Sequence, residues 1–332
     1  MGAAAGILTS TGGMTSHAAV VARGWGKCCI CGAGDLKINY KKGTVSVGSK
    51  TFKAGDMISL NGSTGKVYEG EIANESSPVV AALVEGNKKS QKHWIYKMYQ
   101  TVSEWSDKYR KINVRTNADS PADSAAAIAF GAEGIGLCRT EHMFFEGDRI
   151  TDVRRFILAE TDKDRNAAIK KLLPHQRKDF EGIFKAMNGK PVTVRLLDPP
   201  LHEFLPHTEA DMKKMAKEIG VPLAKIKERV AALHEFNPML GHRGCRLSIT
   251  FPILCEMQTQ AIIEAACKMT KKGVQVLPEI MIPLIGTKAE LDYLEKIVRR
   301  VADAIIAKQN CDVKYLVGTM IEIPRAALTA DR

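Results

Sequence analysis

The sequence lacks a secretory signal and any long apolar run free of charges, the marks of secreted and membrane-spanning chains. It also lacks internal repeats and low-complexity segments, which excludes a solenoid or a long disordered tract. We therefore expect a soluble, non-secreted protein. What is present is ordinary in bulk: 332 residues, 45% of them hydrophobic, are enough for two packed domains.

A disulfide framework is missing as well. The eight cysteines are scattered, and Cys138, Cys255 and Cys267 lie in apolar surroundings. The run CCIC at 28–31 has no second cysteine pair at zinc-binding spacing. We interpret the three cysteines of this run, Cys28, Cys29 and Cys31, as buried strand residues.

Positive charge is in excess, with a formal net charge of +11. Such a balance is compatible with phosphorylated ligands or nucleic acid. The lysines alternate with acidic residues along helical faces, however, and no arginine-rich or basic–aromatic module occurs, which argues against nucleic acid. The stretch GSTGK at 62–66 has the wrong spacing for a phosphate-binding loop, and we expect a turn there.

A histidine follows a glycine-rich turn in GGMTSHAAVVARG, residues 12–24. Thr15 or Ser16 can cap a short apolar helix that ends near Gly24 or Gly26. His17 then lies in the first helical turn, where free N–H groups and the helix dipole favour a negative group. The position suits a neutral histidine that attacks as a nucleophile and then carries an anion. The alternative is a structural histidine in a turn.

The pattern of the chain changes twice. Residues 27–72 contain short β-type runs separated by turns. Residues 74–112 read as a helical connector, with an apolar stripe of residues 94, 98, 102, 105 and 109 that we expect to pack in a core or between domains. From 113 onward strands and helices alternate, which indicates an α/β fold with a parallel sheet.

Charged residues stand at the ends of several apolar runs in this last part. They are Arg115, Arg139, Glu141, Arg195, Asp198 and Glu322. In a βα barrel the carboxyl ends of the strands meet at one face, which carries the active site. Arginines suit phosphate or carboxylate groups, and carboxylates suit Mg²⁺. The alternative is a set of buried ion pairs at a barrel rim.

Six stretches together resemble the pyruvate, phosphate dikinase family of phosphoenolpyruvate-utilising enzymes along nearly the whole chain. They are GGMTSHAAVVARG, NADSPADSAAAIAFGAEGIGLCRTEHMFF, VTVRLLDPPLHEFLPH, NPMLGHRGCRLS, PEIMIPLIG and GTMIEIPRAALTAD. Phosphoenolpyruvate synthase and enzyme I of the sugar phosphotransferase system share the architecture. The segments LDPPLHEFLPH and HRGCRL favour the dikinase.

The resemblance implies roles for individual residues. His17 matches the histidine that becomes phosphorylated. Arg139 and Arg195 match arginines that hold the phosphoryl and carboxylate groups of phosphoenolpyruvate, and Arg243 is a further candidate contact. Glu322 matches a Mg²⁺ ligand that also touches substrate, so the implied cofactor is Mg²⁺.

The resemblance also implies an arrangement of domains. Residues 1–73 would be the C-terminal part of a swivelling phosphohistidine β/α domain, and residues 74–112 a helical linker. Residues 113–332 would form a truncated parallel (β/α)8 TIM-type barrel with five of its eight strands. A nucleotide-binding domain, a second metal carboxylate and the cysteine that protonates the enolate would lie outside this chain. We therefore expect a central fragment of a longer enzyme, or a truncated gene product, without dikinase turnover of its own.

The implied reaction interconverts ATP, phosphate and pyruvate with AMP, diphosphate and phosphoenolpyruvate through a phosphohistidine. The full-length enzyme would be a homodimer, with no membrane partner. Thr15 matches the position that plant relatives phosphorylate for regulation. The compartment would be the cytoplasm, or a plastid or glycosome. A rival interpretation is a non-catalytic phosphohistidine carrier or binding module from a truncated paralogue.

Overall fold

The computed structural model describes residues 4–24, 26–73, 76–145, 148–206, 208–234, 237 and 241–331. The chain divides into two compact units between Ser77 and Pro78. It is a mixed α/β protein with a parallel sheet in the second unit. The predicted partition into 1–73, 74–112 and 113–332 stays a prediction.

The first unit consists of short strands around one helix. Its elements are β1 (Gly6–Leu8), α1 (His17–Gly24), β2 (Cys28–Ile30), β3 (Lys37–Asn39), β4 (Thr44–Val47), β5 (Lys50–Lys53), β6 (Ile58–Asn61) and β7 (Lys66–Glu69). β1 pairs with β2 in parallel, β3, β4 and β5 form an antiparallel sheet, and β6 and β7 form an antiparallel pair. Residues 62–65 make the turn between β6 and β7, which confirms the turn predicted there.

In the described part of the chain, the second unit is built on five parallel strands in sequential order. They are β8 (Thr116–Asn117), β9 (Ile135–Arg139), β10 (Pro191–Arg195), β11 (Leu277–Ile282) and β12 (Leu316–Thr319). Each overlaps a segment that the sequence marks as a strand, although β10 and β11 begin before the predicted starts at Val192 and Glu279. Neighbouring strands are linked through helices, so all carboxyl ends of the strands lie at one edge.

The helices of this unit precede the sheet, connect its strands or follow its last strand. They are α2 (Pro78–Leu83), α3 (Trp94–Tyr109), α4 (Pro121–Ala129), α5 (Arg149–Leu158), α6 (Asp162–Ala186), α7 (Glu209–Ile219), α8 (Leu223–Leu233), α9 (Gly244–Thr250), α10 (Pro252–Thr270), α11 (Lys288–Gln309) and α12 (Pro324–Leu328). Short 3₁₀ turns occupy Ser90–Lys92, Thr140–Phe145 and Leu201–Phe204.

Two hydrophobic clusters hold the second unit together. The first joins the strands to α6, α10 and α11, and includes Val194, Ile280, Phe180, Ile262 and Val298. The second lies under α5, α7 and α8 and includes residues such as Phe156, Phe204 and Ile226. The sheet edge with the carboxyl ends of the strands is therefore fixed by a packed core beneath it.

The helical stretches that the sequence indicates over 152–187 and 208–234 each contain two helices. The first is interrupted at 159–161, where Thr161 caps α6 through a hydrogen bond from the Asp164 N–H. The second is interrupted at Gly220, which has a φ of 79° and is followed by Pro222. A left-handed glycine ends a helix, and a proline two residues later prevents its continuation.

The apolar stripe of α3 is exposed, so the expectation of packing in a core is wrong, whereas packing between domains stays a prediction. None of the residues of α3 is buried, and Trp94, Trp105 and Tyr109 are 64%, 62% and 74% exposed. The 3.6-residue period identified an amphipathic helix, but it carries no information on what covers the apolar face. Among the described residues, no helix combines the length and apolarity needed to cross a membrane.

Candidate functional site

His17 is the first residue of α1, and its side chain is exposed. The Oγ of Ser16 accepts a hydrogen bond from the Ala19 N–H at 3.3 Å, so Ser16 rather than Thr15 caps the helix. Thr15 is exposed beside it. The imidazole therefore lies at the positive end of a helix dipole and in reach of solvent.

Close packing of two loops supports the turn before His17. Gly12 has a φ of 90°, and its carbonyl oxygen would lie 2.5 Å from a Cβ placed on Gly32, which has a φ of 77°. The guanidinium of Arg23 also donates a hydrogen bond to the Met14 carbonyl at 2.6 Å. The backbone leading to His17 is thus fixed from both sides.

The CCIC run lies beside this helix. Cys28 and Cys29 belong to β2, as predicted, and Cys31 follows it. All three side chains are half-buried rather than buried. The prediction of buried cysteines is wrong because β2 has only a small unit to pack against, and the covering helix has eight residues.

Arg139 and Arg195 end neighbouring strands, and they are register partners in the pairing of β9 with β10. Arg139 is about one-third exposed, whereas Arg195 is buried. The backbone N–H of Arg139 donates to Asp119 Oδ1 at 2.6 Å. The sheet therefore places both predicted arginines side by side at its carboxyl edge.

Arg195 lies between two acidic side chains. Its Nη2 donates to Glu141 Oε1, and its Nη1 lies 2.9 Å from Asp198 Oδ2. Arg243 binds the same carboxylate of Asp198 through Nη2 and Nε. Burial raises the pKa of Glu141, while the positive charge of Arg195 opposes that shift.

Two polar atoms of this network have no hydrogen-bond partner within the described ranges. They are Arg195 Nε and Glu141 Oε2, both buried. Buried polar atoms are nearly always paired in folded proteins, so unpaired ones at a sheet edge point to a bound water or ligand.

Glu322 follows β12 and is exposed. Its Oε1 accepts a hydrogen bond from the Leu284 N–H at 2.8 Å. Leu284 has a φ of 64° and packs against Gly244, where a Cβ would lie 2.8 Å from the Leu284 Cβ. Since Gly244 follows Arg243 directly, the loop after β11 connects Glu322 to the arginine network.

Two further residues of this edge were missed by sequence reasoning. His142 Nδ1 lies 2.7 Å from Asp119 Oδ2, and this hydrogen bond raises the pKa of His142, opposed by its partial burial. Asp119 thus contacts both Arg139 and His142. Only the register of β8 with β9 brings Asp119 to His142, and the sequence does not reveal it.

Gln258 is a third residue that the sequence did not mark. It lies on α10, is buried, and accepts a hydrogen bond from the Leu197 N–H at 2.7 Å. Leu197 stands between Arg195 and Asp198, so Gln258 fixes the backbone that carries both charges.

Arg115 does not join the edge. It precedes β8, and its Nη1 lies 2.6 Å from Glu279 Oε2, with Thr193 Oγ1 also bonded to that carboxylate at 2.6 Å. The expectation that Arg115 lies at a strand's carboxyl end is wrong, because β8 begins after it at Thr116. Its charge is used in an ion pair across the sheet.

A metal site preformed from this chain alone is not seen. Within the part of the chain that the structure describes, no three His, Cys, Asp or Glu side chains are grouped to bind an ion. What the edge offers is a neighbouring pair of arginines, a third arginine and a separate exposed carboxylate.

Comparison with known protein families decides the affiliation. Residues 95–332 match the model described as "PEP-utilising enzyme, PEP-binding domain". The chain belongs to the PEP-utilising enzyme family. Residues 1–65 match the family's mobile domain, so the matches cover both units of this PEP-utilising enzyme chain.

Curated relatives align with this family member over its full length. Pyruvate, phosphate dikinase of Clostridium symbiosum is 51% identical over 332 residues, and that of Giardia intestinalis is 52% identical over 332 residues. The chloroplastic pyruvate, phosphate dikinase 1 of Arabidopsis thaliana is 51% identical over 333 residues. The alignments cover 100% of this chain but 36%, 36% and 33% of the relatives, so the chain spans about a third of their length.

Proposed function

We propose that this chain carries the phosphohistidine and the phosphoenolpyruvate-binding residues of a pyruvate, phosphate dikinase. The observation that carries the proposal is the grouping of Arg139, Arg195 and Arg243 at one edge of the sheet, with Glu322 linked to them through Leu284. A trianionic substrate needs such an array of guanidinium groups. Family membership and the names of the relatives support the same assignment.

The architecture in this proposal is a swivelling β/α domain followed by part of a (β/α)8 barrel. The five strands of the sheet follow one another in chain order, as consecutive strands of a barrel do. We propose that residues 1–73 carry the phosphoryl group, that 74–112 link, and that 113–332 bind substrate.

His17 is the nucleophile in this mechanism. Its neutral imidazole attacks phosphorus in line, a nitrogen–phosphorus bond forms, and the bond from phosphorus to the enol oxygen breaks with its electron pair leaving on the enolate. The N-terminal position in α1 stabilises the negative charge that His17 then carries. In the reverse direction the same groups return the phosphoryl group to the enolate.

Arg139 and Arg195 bind the phosphoryl and carboxylate groups. Phosphoryl transfer depends mainly on positioning and on neutralising charge. A guanidinium can form two parallel hydrogen bonds with a phosphoryl group or with a carboxylate. The unpaired Nε of Arg195 is a donor available to substrate. Arg243, held by Asp198, supplies a further positive charge.

Glu322 is the residue of this chain that would hold Mg²⁺. It fits, because Oε1 is fixed by the Leu284 N–H while Oε2 has no partner among the described residues. Mg²⁺ in phosphoryl-transfer sites uses one or two carboxylates and completes its shell with substrate oxygens and water. When bound, the ion would neutralise negative charge on substrate oxygens.

The whole-enzyme features belong to the same proposal. ATP and AMP would act at a nucleotide-binding domain not present among these residues, and the full-length enzyme would be a homodimer. Thr15, exposed beside the phosphorylated residue, is the proposed regulatory phosphosite.

The test is labelling with radioactive phosphoenolpyruvate and Mg²⁺. We expect acid-labile label on His17 in the unmodified chain, none in His17→Ala, and full label in the control His175→Ala, which changes an exposed histidine of α6. Undiminished labelling of His17→Ala would refute the assignment. Label that appears only after a separate kinase is added would favour the carrier interpretation.

A further inference from the structure

Two thiols of the first unit lie against the residues on either side of His17. The Sγ atoms of Cys29 and Cys31 are 3.4 Å apart. The Cys31 sulfur accepts a hydrogen bond from Ser16 Oγ at 3.5 Å, and the Cys29 thiol donates to the Ala18 carbonyl at 3.8 Å. The pair therefore contacts the helix cap and the first helical turn.

We propose that Cys29 and Cys31 form a reversible disulfide on exposure to hydroperoxides, and that this oxidation loosens the start of α1 at His17. Any effect of this oxidation on phosphoryl transfer rests on the proposed function of His17, whereas formation of the disulfide does not depend on that function.

The geometry allows the bond at small cost in backbone movement. A disulfide brings two sulfurs to about 2 Å, so closing the observed gap requires only rotation of the side chains and a slight contraction of the strand. Residues two apart in an extended chain have Cα atoms about 6.6 Å apart, at the upper end of the range for disulfides. A disulfide at that limit is strained and easily reduced, which suits a reversible modification.

The two sulfurs have different chemical roles. The hydroxyls of Ser16 and Thr9 lower the pKa of Cys31, while burial raises the pKa of Cys29. Cys31 is therefore the thiolate that attacks and Cys29 the thiol that resolves, the arrangement of redox-sensitive cysteine pairs.

The reaction balances with a hydroperoxide as oxidant. The Cys31 thiolate attacks one peroxide oxygen, an S–O bond forms, the O–O bond breaks, and hydroxide or alkoxide leaves. The Cys29 thiol then gives up its proton and attacks the Cys31 sulfur, which releases water and forms the S–S bond. For hydrogen peroxide the sum is two thiols and one peroxide giving one disulfide and two waters.

The consequence for α1 follows from the loss of one contact and the weakening of another. In the disulfide, Cys29 has no S–H to donate to the Ala18 carbonyl, and the Cys31 sulfur is a weaker acceptor for the Ser16 hydroxyl. Ser16 is the residue whose Oγ holds the Ala19 N–H. Oxidation therefore weakens the cap directly before His17.

The chain offers a matched control in the neighbouring cysteine. Cys28 belongs to the same strand, but its thiol donates to the Leu60 carbonyl at 3.4 Å on β6. Successive side chains of a strand point to opposite faces, so Cys28 is turned away from the pair.

The experiment treats the full chain with hydrogen peroxide at neutral pH and maps disulfides by mass spectrometry. We expect a Cys29–Cys31 disulfide in the unmodified chain and in Cys28→Ser, reversed by dithiothreitol, and none in Cys29→Ser or Cys31→Ser. Irreversible sulfinic acid without a disulfide, or a disulfide that uses Cys28, would overturn the proposal.

The effect on α1 has its own measurement. Hydrogen exchange at the Ala19 amide should accelerate by about threefold or more on oxidation in the unmodified chain and Cys28→Ser, but not in Cys29→Ser. Equal exchange before and after oxidation would overturn the coupling to α1. Absence of label on His17 in the reduced chain would instead count against the proposed function and would leave the disulfide result intact.

Discussion

Arg195 is the residue on which most of the site depends. Its planar guanidinium forms ion pairs with Glu141 and Asp198 through separate nitrogens, and its side chain is only 10% exposed. A lysine at this position keeps the charge but has one compact ammonium, which cannot fill both positions and also donate to a ligand.

We expect Arg195→Lys to lower labelling of His17 by phosphoenolpyruvate by about tenfold or more. We also expect it to reduce the free energy of unfolding by about 1–3 kcal/mol, since one buried carboxylate loses its partner. Arg300→Lys, at an exposed pair with Glu256, should change stability by less than about 0.5 kcal/mol. Equal effects of the two substitutions in urea unfolding would contradict the assigned role of Arg195.

His142 gives the site a measurable pH response. Because the hydrogen bond that His142 donates to Asp119 raises the pKa of His142 in the folded state, the protonated pair stabilises the fold fully below the unfolded-state pKa of about 6.5. That contribution is lost as pH rises through the raised folded-state pKa. NMR titration should show the elevated pKa of His142 and its fall in Asp119→Asn. An unchanged titration in Asp119→Asn would show that another group causes the shift.

Residue positions that depend on a local motif could be predicted from the sequence, as His17 at a helix start illustrates. Those that depend on strand register could not. Asp119 and His142 are 23 residues apart, and their contact exists only because β8 and β9 pair as they do. The role of Gln258 could not be predicted either, since only the structure shows which backbone group a buried glutamine on an apolar helix binds.

Among the elements, α1 allows the contribution of a helix N-cap to stability to be measured. Ser16→Ala removes the acceptor for the Ala19 N–H and should destabilise the first unit by about 0.5–2 kcal/mol. Thr15→Ala removes a hydroxyl one residue earlier and should leave the helix start unchanged. Hydrogen exchange at Ala19 measures both. Equal acceleration in the two variants would show that the cap has been assigned to the wrong residue.

The loop at Gly32 tests a close approach of two backbone segments. Gly32→Ala would place a Cβ 2.5 Å from the Gly12 carbonyl at a φ of 77°, and we expect a loss of about 1–3 kcal/mol in the unfolding free energy. Gly34→Ala is the matched control, because nothing lies within 4 Å of its Cβ position. Chemical denaturation of both variants checks the difference, and a stable Gly32→Ala would contradict the close packing of the turn.

Element types followed from local pattern, whereas their interruptions did not. Thr287 with Glu290 forms the capping box of α11, and Ser120 caps α4, both readable as sequence signals. The division at Gly220, with Pro222 beyond it, lies in a stretch that the sequence marks as helical without giving the bounds of the individual helices. An apolar period identifies a helix and its apolar face, and is a weaker guide to where the helix ends.

At the scale of the whole molecule, the sheet has an exposed lateral edge, which is distinct from the edge formed by the carboxyl ends of its strands. β12 is its last strand, and Leu316 on it is 65% exposed. Open strand edges with apolar side chains favour association between copies. We expect the sedimentation coefficient of the chain to rise with concentration, and Leu316→Lys to reduce that rise. Leu328→Lys, on α12, should not reduce it. A single species at all concentrations would contradict this prediction.

The exposed face of α3 also gives the chain an intrinsic fluorescence signal that reports on this helix. The sequence has three tryptophans, and two of them, Trp94 and Trp105, lie on that helix with most of their surface in solvent. Their indole rings should be readily quenched by acrylamide and iodide. Anything that comes to rest on α3 would shield both rings at once and shift the emission to shorter wavelengths. Steady-state fluorescence therefore detects coverage of α3 without any added dye.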